Sequence, residues 1–186
     1  KWVLDPIDGT RSFILGYPIF GTLISLVENN VNPILGIIDI PATGERWFGY
    51  KDKESIFFPD NNSEKSIKCK VSDQKKIEKA VLTCADPVMF DVFQKKKFDD
   101  LASKVKMVRW GGDCYSYGLL ALGFIDLVVE ADLKIFDVMA LIPVVEEAGG
   151  IISDWQGQVI FNDDWDGCVL ASANRELHEK ALQYLN

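Results

Sequence analysis

With 186 residues, 48% of them hydrophobic, the chain is long enough to bury the core of one domain or of two small ones. Its formal charge of −8 excludes the basic footprint of a nucleic-acid binder and of a polybasic membrane anchor. No apolar run reaches the roughly 18–20 residues of a membrane-spanning helix, because Asp126 and Glu130 interrupt the longest one.

Residues 2–4 read as a buried strand already under way, with no starting Met, so a preceding segment is expected. The strand runs into an acidic turn at 5–10. Residues 20–27 alternate with period two, and after a turn at 28–33 the strands 34–40, 45–50 and 55–58 follow, predicting an antiparallel meander. The polar run 59–66 is the one soft stretch.

The rhythm then changes. A strand at 80–84, a helix at 88–104, a strand at 106–110, a helix at 115–123 and a strand at 125–130 precede a helix at 137–148 that Gly149 and Gly150 close. Strands at 151–154 and 168–171 and a last helix at 174–185, capped by Asn174, complete the chain. Such alternation predicts a covered sheet. The change of regime divides the chain into an antiparallel α+β half, 1–77, and an α/β half, 78–186. The run Lys95, Lys96, Lys97 lies among Asp91, Asp99 and Asp100 and reads as a solvated helix face. Cys69, Cys84, Cys114 and Cys168 show no C-x-x-C spacing, which suits buried thiols in a reducing, cytoplasmic setting.

Asp5 and Asp8 emerge together at a strand end, with Pro6 stiffening the turn and the Ile7 carbonyl between them. Hard divalent cations such as Mg²⁺ want this set of oxygens. Gly9 and Thr10 follow, positioned to present backbone N–H groups to a phosphate at the start of a helical turn. The competing reading is an Asp-rich β-turn, since D-P and D-G are turn formers in any context. Asp137 opens a helix with an apolar stripe and is either a cap or a second metal ligand. Glu130 at a strand end and Asp113 after Gly111 and Gly112 are each readable as a local charge or as part of a pocket. The single histidine, His178, sits in the polar run Arg175 to Glu179, which leaves a His-based nucleophile or zinc mechanism without support. An acidic chain that binds phosphate without a Lys/Arg cluster needs divalent cations to supply positive charge.

The segment W-V-L-D-P-I-D-G-T-R-S-F (2–13) and the segment F-D-V-M-A-L-I-P-V-V-E-E-A-G-G (136–150) resemble the two signatures of the inositol monophosphatase superfamily. F-G-T-L-I-S-L (20–26), L-G-I-I-D-I-P (35–41), E-R-W (45–47) and R-W-G-G-D-C-Y-S-Y-G-L-L-A (109–121) resemble its histidinol-phosphate phosphatase branch. The resemblance implies an α/β, layered α-β-α-β-α sandwich and two or three Mg²⁺ ions, with Mn²⁺ as a substitute. It places Asp5, the Ile7 carbonyl, Asp8 and Asp137 on metal and Gly9 and Thr10 on phosphate. Thr10 would orient the attacking water, Asp5 would bridge the ions, and Gly111, Gly112, Asp113 and Glu130 would face the alcohol moiety.

The implied activity is direct hydrolysis of a small phosphate monoester, histidinol phosphate of histidine biosynthesis first. Inositol monophosphate, an adenosine bisphosphate and fructose bisphosphate follow, and a metal- or phosphate-binding regulatory protein is the non-enzyme alternative. Family members are often homodimers. The family also draws a Glu pair from a region before residue 1, so this chain alone is expected to bind metal weakly and turn over poorly.

Overall fold

The computed structural model of the chain describes residues 1–60, 64–160 and 165–186. Residues 61–63 of the polar run read as soft lie outside the described residues. The first half forms β1 (Trp2–Asp8), β2 (Gly21–Glu28), β3 (Asn32–Ile40), β4 (Glu45–Tyr50), β5 (Ser55–Phe58) and β6 (Ile67–Lys68). They pair in chain order and antiparallel throughout, as the alternation predicts. β6, two residues long, is too short for a period to register in the sequence. The β2–β3 turn carries Asn29 and Asn30 at φ 52° and 63°, a left-handed pair that Asn tolerates.

β1 departs from expectation in two ways. It extends through Asp8 rather than ending at residue 4, with a register shift against β2 between Asp5 and Asp8. Pro6 has no N–H for the ladder, and its carbonyl instead accepts Thr22 Oγ1 at 2.9 Å. The resulting bulge re-aims the two carboxylates. Nor is its start buried: Trp2 and Leu4 are 59% and 58% exposed, on the face they share by register with Leu26 and Ile24.

The second half contributes β7 (Val81–Cys84), β8 (Met107–Trp110), β9 (Leu127–Glu130), β10 (Ile151–Ser153) and β11 (Val169–Ser172), in the order β10-β11-β9-β7-β8. β7 is parallel to β8 and β9, and the remaining pairs are antiparallel. The helices are α1 (Thr10–Leu15), α2 (Val92–Ala102), α3 (Asp113–Ala121), α4 (Ile135–Val138), α5 (Leu141–Glu146) and α6 (Arg175–Leu185). The expected boundary near residue 77 falls in the segment between the two sheets.

Two cores result. Leu23, Ile38, Trp47, Tyr117, Leu120, Leu141 and Val144 fill the space between the sheets, around α3 and α5, together with Val128, Val169 and Ala171. The alternate residues Leu127, Val129 and Leu170 join Phe98, Leu101, Leu177 and Ala181 of α2 and α6 on the far side. Period two thus sends successive residues of β9 and β11 into different cores. The order sheet, α3/α5, sheet, α2/α6 gives four layers of the expected sandwich within the described residues. α5 lies so close to the first sheet that a Cβ on Gly36 would fall 2.0 Å from the Ala140 carbonyl oxygen.

The helix predicted over 137–148 is two helices, α4 and α5. Pro143 has no N–H for the Met139 carbonyl four residues back, and Ser25 Oγ donates to that carbonyl at 3.1 Å from β2. The helix predicted over 88–104 begins at Val92, because Asp91 Oδ1 accepts the Phe93 and Gln94 N–H groups at 2.8 Å each and caps it. On its surface Lys95–Asp99 and Lys96–Asp100 form i,i+4 pairs, the solvated face expected of this charge run. All four cysteines are free and buried. No helix among the described residues is long and apolar enough to cross a membrane.

Candidate metal and phosphate site

The bulged end of β1 and the first turn of α4 meet where the two halves of the chain join. Asp5, Asp8 and Asp137 place one carboxylate oxygen each within 4.8 Å of one another. Each side chain is fixed by its own backbone contact. Asp5 Oδ1 accepts the Ile7 N–H at 3.1 Å, Asp8 Oδ2 accepts the Cys114 N–H at 2.7 Å in the first turn of α3, and Asp137 Oδ2 accepts the Lys134 N–H at 2.7 Å. The cap and ligand readings of Asp137 therefore do not compete: one oxygen caps α4 while the residue joins the trio.

Burial pushes Asp8 up to about 7, against the pull of the Cys114 hydrogen bond, with the Asp113 and Asp5 charges adding to the rise. Burial also raises Asp137, to about 6, with Asp5 adding to the rise and the Lys134 N–H opposing it. These are carboxylates short of positive charge.

Immediately downstream, Gly9 stands at φ 74° as the N-cap of α1 and no side chain caps the helix. The first intrahelical bond runs from Phe13 N–H to Gly9 O at 2.9 Å, leaving the N–H groups of Thr10, Arg11 and Ser12 without helical partners. A Cβ on Gly9 would sit 2.8 Å from Asp113 Oδ2, so both the left-handed turn and the close approach require glycine. Thr10 Oγ1 donates to the Ile7 carbonyl at 3.3 Å, which puts the expected water-orienting hydroxyl beside the expected carbonyl ligand.

A cavity of about 1120 Å³ opens from this point, with Gly9, Thr10, Arg11, Gly111, Gly112 and Asp113 in its lining. Asp113 projects toward α1, where Ser12 Oγ donates to its Oδ2 at 3.1 Å. Burial raises its pKa, while Ser12 and then Arg11 pull it down. Glu130, expected beside the alcohol moiety, lies behind this wall at 3% exposure. Its Oε2 accepts Tyr117 OH at 2.7 Å and its Oε1 accepts the Ala85 N–H at 3.1 Å, so it holds the end of β7 in place. Burial pushes it up to about 8.

Three residues at the site were given no role from the sequence. Ser12 and Arg11 reach across to the second half, and Asp86, in the turn after β7, receives Arg11 in an ion pair. The available signal was a second Asp-Pro dipeptide after an apolar strand, Asp86-Pro87, matching Asp5-Pro6. His178 belongs to α6 but faces inward, 6% exposed, between Ser153 Oγ at 2.9 Å and Ser172 Oγ at 3.0 Å. Burial lowers it to about 4, and its ring partners among the described residues are hydroxyls rather than a carboxylate.

Comparison with known proteins places this geometry among relatives. The family model described as the inositol monophosphatase family matches residues 1–186. The chain is 40% identical to a chloroplastic bifunctional phosphatase of Arabidopsis thaliana, over 99% of the chain and 53% of that protein. It is 31% identical to a histidinol-phosphatase of Streptomyces coelicolor, over 100% of the chain and 69% of that protein. A solved inositol monophosphatase from Zymomonas mobilis superposes with a TM-score of 0.90 at 43% identity, covering 99% of this chain and 69% of that one. The chain thus spans between about half and about two thirds of the length of these relatives.

Proposed function

Because the chain belongs to the inositol monophosphatase family, we propose that it hydrolyses the phosphate monoester of a small metabolite with the help of a divalent cation. The observation that carries this reading is the convergence of Asp5, Asp8 and Asp137 directly upstream of the uncapped first turn of α1. The donor set fits Mg²⁺: three carboxylates and the Ile7 carbonyl supply only hard oxygens, and the raised Asp8 and Asp137 mark a site that gains from added positive charge. Asp5, Asp8 and Asp137 would hold the ion, with Mn²⁺ as a substitute. When bound, it would acidify a coordinated water and offset charge on the phosphate.

The chain's own groups account for the remaining tasks. The N–H groups that open α1 bind phosphate oxygens and fix the ester's orientation. Thr10 Oγ1, already anchored on the Ile7 carbonyl, orients the attacking water. Gly111, Gly112 and Asp113 flank the alcohol that leaves.

Histidinol phosphate is the ester we place first. The histidinol-phosphatases of Streptomyces coelicolor and Mycobacterium tuberculosis, each 31% identical, support this choice. So does Asp113, whose carboxylate could receive an amine or an imidazole that a neutral polyol lacks. Four free thiols suit the reducing cytoplasm we assign it. The test is Mg²⁺-dependent phosphate release from histidinol phosphate, inositol monophosphate and fructose 1,6-bisphosphate, with Asp113→Ala alongside. Release of phosphate from histidinol phosphate ahead of the others is expected, with Asp113→Ala narrowing that preference more than it weakens phosphate binding. Phosphate binding without turnover of any ester, in this chain and in one extended to the length of its relatives, would instead support a regulatory binding protein.

A further inference from the structure

Arg11 sits in the first turn of α1, next to Thr10, where a free guanidinium would be expected to reach for phosphate. It is committed elsewhere. Its Nη1 pairs with Asp86 Oδ2 across the mouth of the cavity, linking α1 to the turn after β7. Asp86 is held for this contact, since its other oxygen accepts the Val88 N–H at 2.9 Å and caps the 3-10 turn Pro87–Met89. The pair is well exposed, 67% and 39% by side chain, so it contributes little to stability.

The remaining charges in the cavity lining, among the described residues, are Asp113, Asp132 and Arg109. Asp132 pairs with Lys134 at 2.8 Å, and among the described residues the donor to Asp113 is the neutral Ser12 hydroxyl. Arg109 stands on the edge strand β8, paired by register with Thr83 of β7 and two residues before Gly111. Beside the cradle, then, one cation is neutralised and one carboxylate is not.

We propose that the Arg11–Asp86 pair is a charge filter that admits esters carrying a single phosphate and discriminates against those carrying a second. This rests on the phosphatase reading above and makes Asp86 a specificity-determining residue. The phosphate being cleaved is served by the α1 amides and the metal trio, and does not require Arg11. A second phosphate carries a charge of about −1.5 to −2 and would meet the Asp86 and Asp113 carboxylates with Arg11 already taken. An alcohol that is neutral or cationic meets no such repulsion.

The test measures Mg²⁺-supported binding of fructose 6-phosphate and fructose 1,6-bisphosphate by calorimetry. Wild type, Asp86→Asn, Arg11→Gln, their double variant and Arg109→Gln are compared, each first shown to melt like wild type. Freeing Arg11 by Asp86→Asn should shift the preference toward the bisphosphate by about five- to tenfold, the Coulomb effect of one unit charge on a doubly charged group in high-dielectric surroundings. Arg11→Gln should shift it the other way, and the double variant should return close to wild type. The shifts should fade between about 0.1 M and about 1 M salt, as the Debye length falls from about 10 to about 3 Å.

A preference unmoved by Asp86→Asn, or moved equally at both salt concentrations, overturns the filter. A preference that responds only to Arg109→Gln overturns it too and locates the selection on β8. If wild type binds neither compound, the phosphate reading of the site falls together with the filter; if it binds both and only the shift is missing, the filter alone falls.

Discussion

On the β1 side of the cavity, Asp5, Asp8 and Asp137 bring three carboxylates within 4.8 Å, and burial lifts Asp8 to about 7 and Asp137 to about 6. On the β7–α3 side, Asp86 and Asp113 each already hold a partner, Arg11 and Ser12 respectively. The first three accept only from backbone N–H groups, whereas Asp86 is neutralised by a guanidinium. Part-buried acids without a cationic partner are what a divalent cation can stabilise, whereas an acid already paired with Arg11 shapes what else fits.

The strongest way to break this contrast is to remove a charge from the first side. Asp137→Asn or Asp8→Asn should lower Mg²⁺-dependent phosphate release by about 10³-fold, without lowering the melting temperature in metal-free buffer. Preserved turnover in either variant would sink the metal assignment.

The second test is the pH dependence of stability without metal. An unperturbed aspartate titrates at 3.8 and Asp8 in the folded chain at about 7, so between those values the folded chain holds the extra proton. Stability should therefore fall as pH rises from about 4 through 7, by on the order of 3 kcal/mol from Asp8, with Asp137 adding in the same direction up to about 6. His178 acts with the opposite sign. Its folded value of about 4 lies below 6.5, so its contribution is lost as pH falls through that window. Melting curves in EDTA for wild type and Asp8→Asn isolate the Asp8 share, because Glu130, raised to about 8, and Asp137 act alike in both proteins, so wild type should lose more stability than the variant up to about pH 7, and Mg²⁺ should restore the difference there. Equal curves for both proteins would remove the charge-deficit account of the trio.

The junction between the two sides is sharpened by Gly9→Ala. The left-handed turn alone costs roughly 1–2 kcal/mol for a residue with a Cβ, and the 2.8 Å approach to Asp113 Oδ2 displaces that carboxylate as well. Denaturant titration should show the loss, and phosphate affinity should fall with it. The smallest effect belongs to the second side: breaking Arg11–Asp86 should change stability by no more than about 1 kcal/mol, and a larger loss would make that pair a structural staple.

What the sequence disclosed follows the same division. Asp5, Asp8, Gly9 and Thr10 are contiguous, so one local reading presents them together, and the meander of β2 to β5 follows from period two because that sheet buries its two faces unequally. The other wall is assembled from the turn after β7, the start of α3 and the end of β9, separated by tens of residues. Asp86 in isolation looks like any cap, and Glu130 looks like a wall residue until Tyr117 and Ala85 are seen to occupy both its oxygens. The α4/α5 break could be suspected from Pro143, but the Ser25 hydroxyl that satisfies Met139 comes from β2, a partner 114 residues away in sequence. The inward face of His178 likewise depends on Ser153 and Ser172 from β10 and β11.

The central claim is that the trio holds a divalent cation for a phosphate seated on α1. Calorimetric titration of Mg²⁺ with and without inorganic phosphate, on wild type and Asp137→Asn, tests it most directly. The account predicts that phosphate tightens Mg²⁺ binding, that Mg²⁺ tightens phosphate binding by the same factor, and that Asp137→Asn abolishes the coupling. Mg²⁺ binding that ignores phosphate, or that survives Asp137→Asn unchanged, would contradict it.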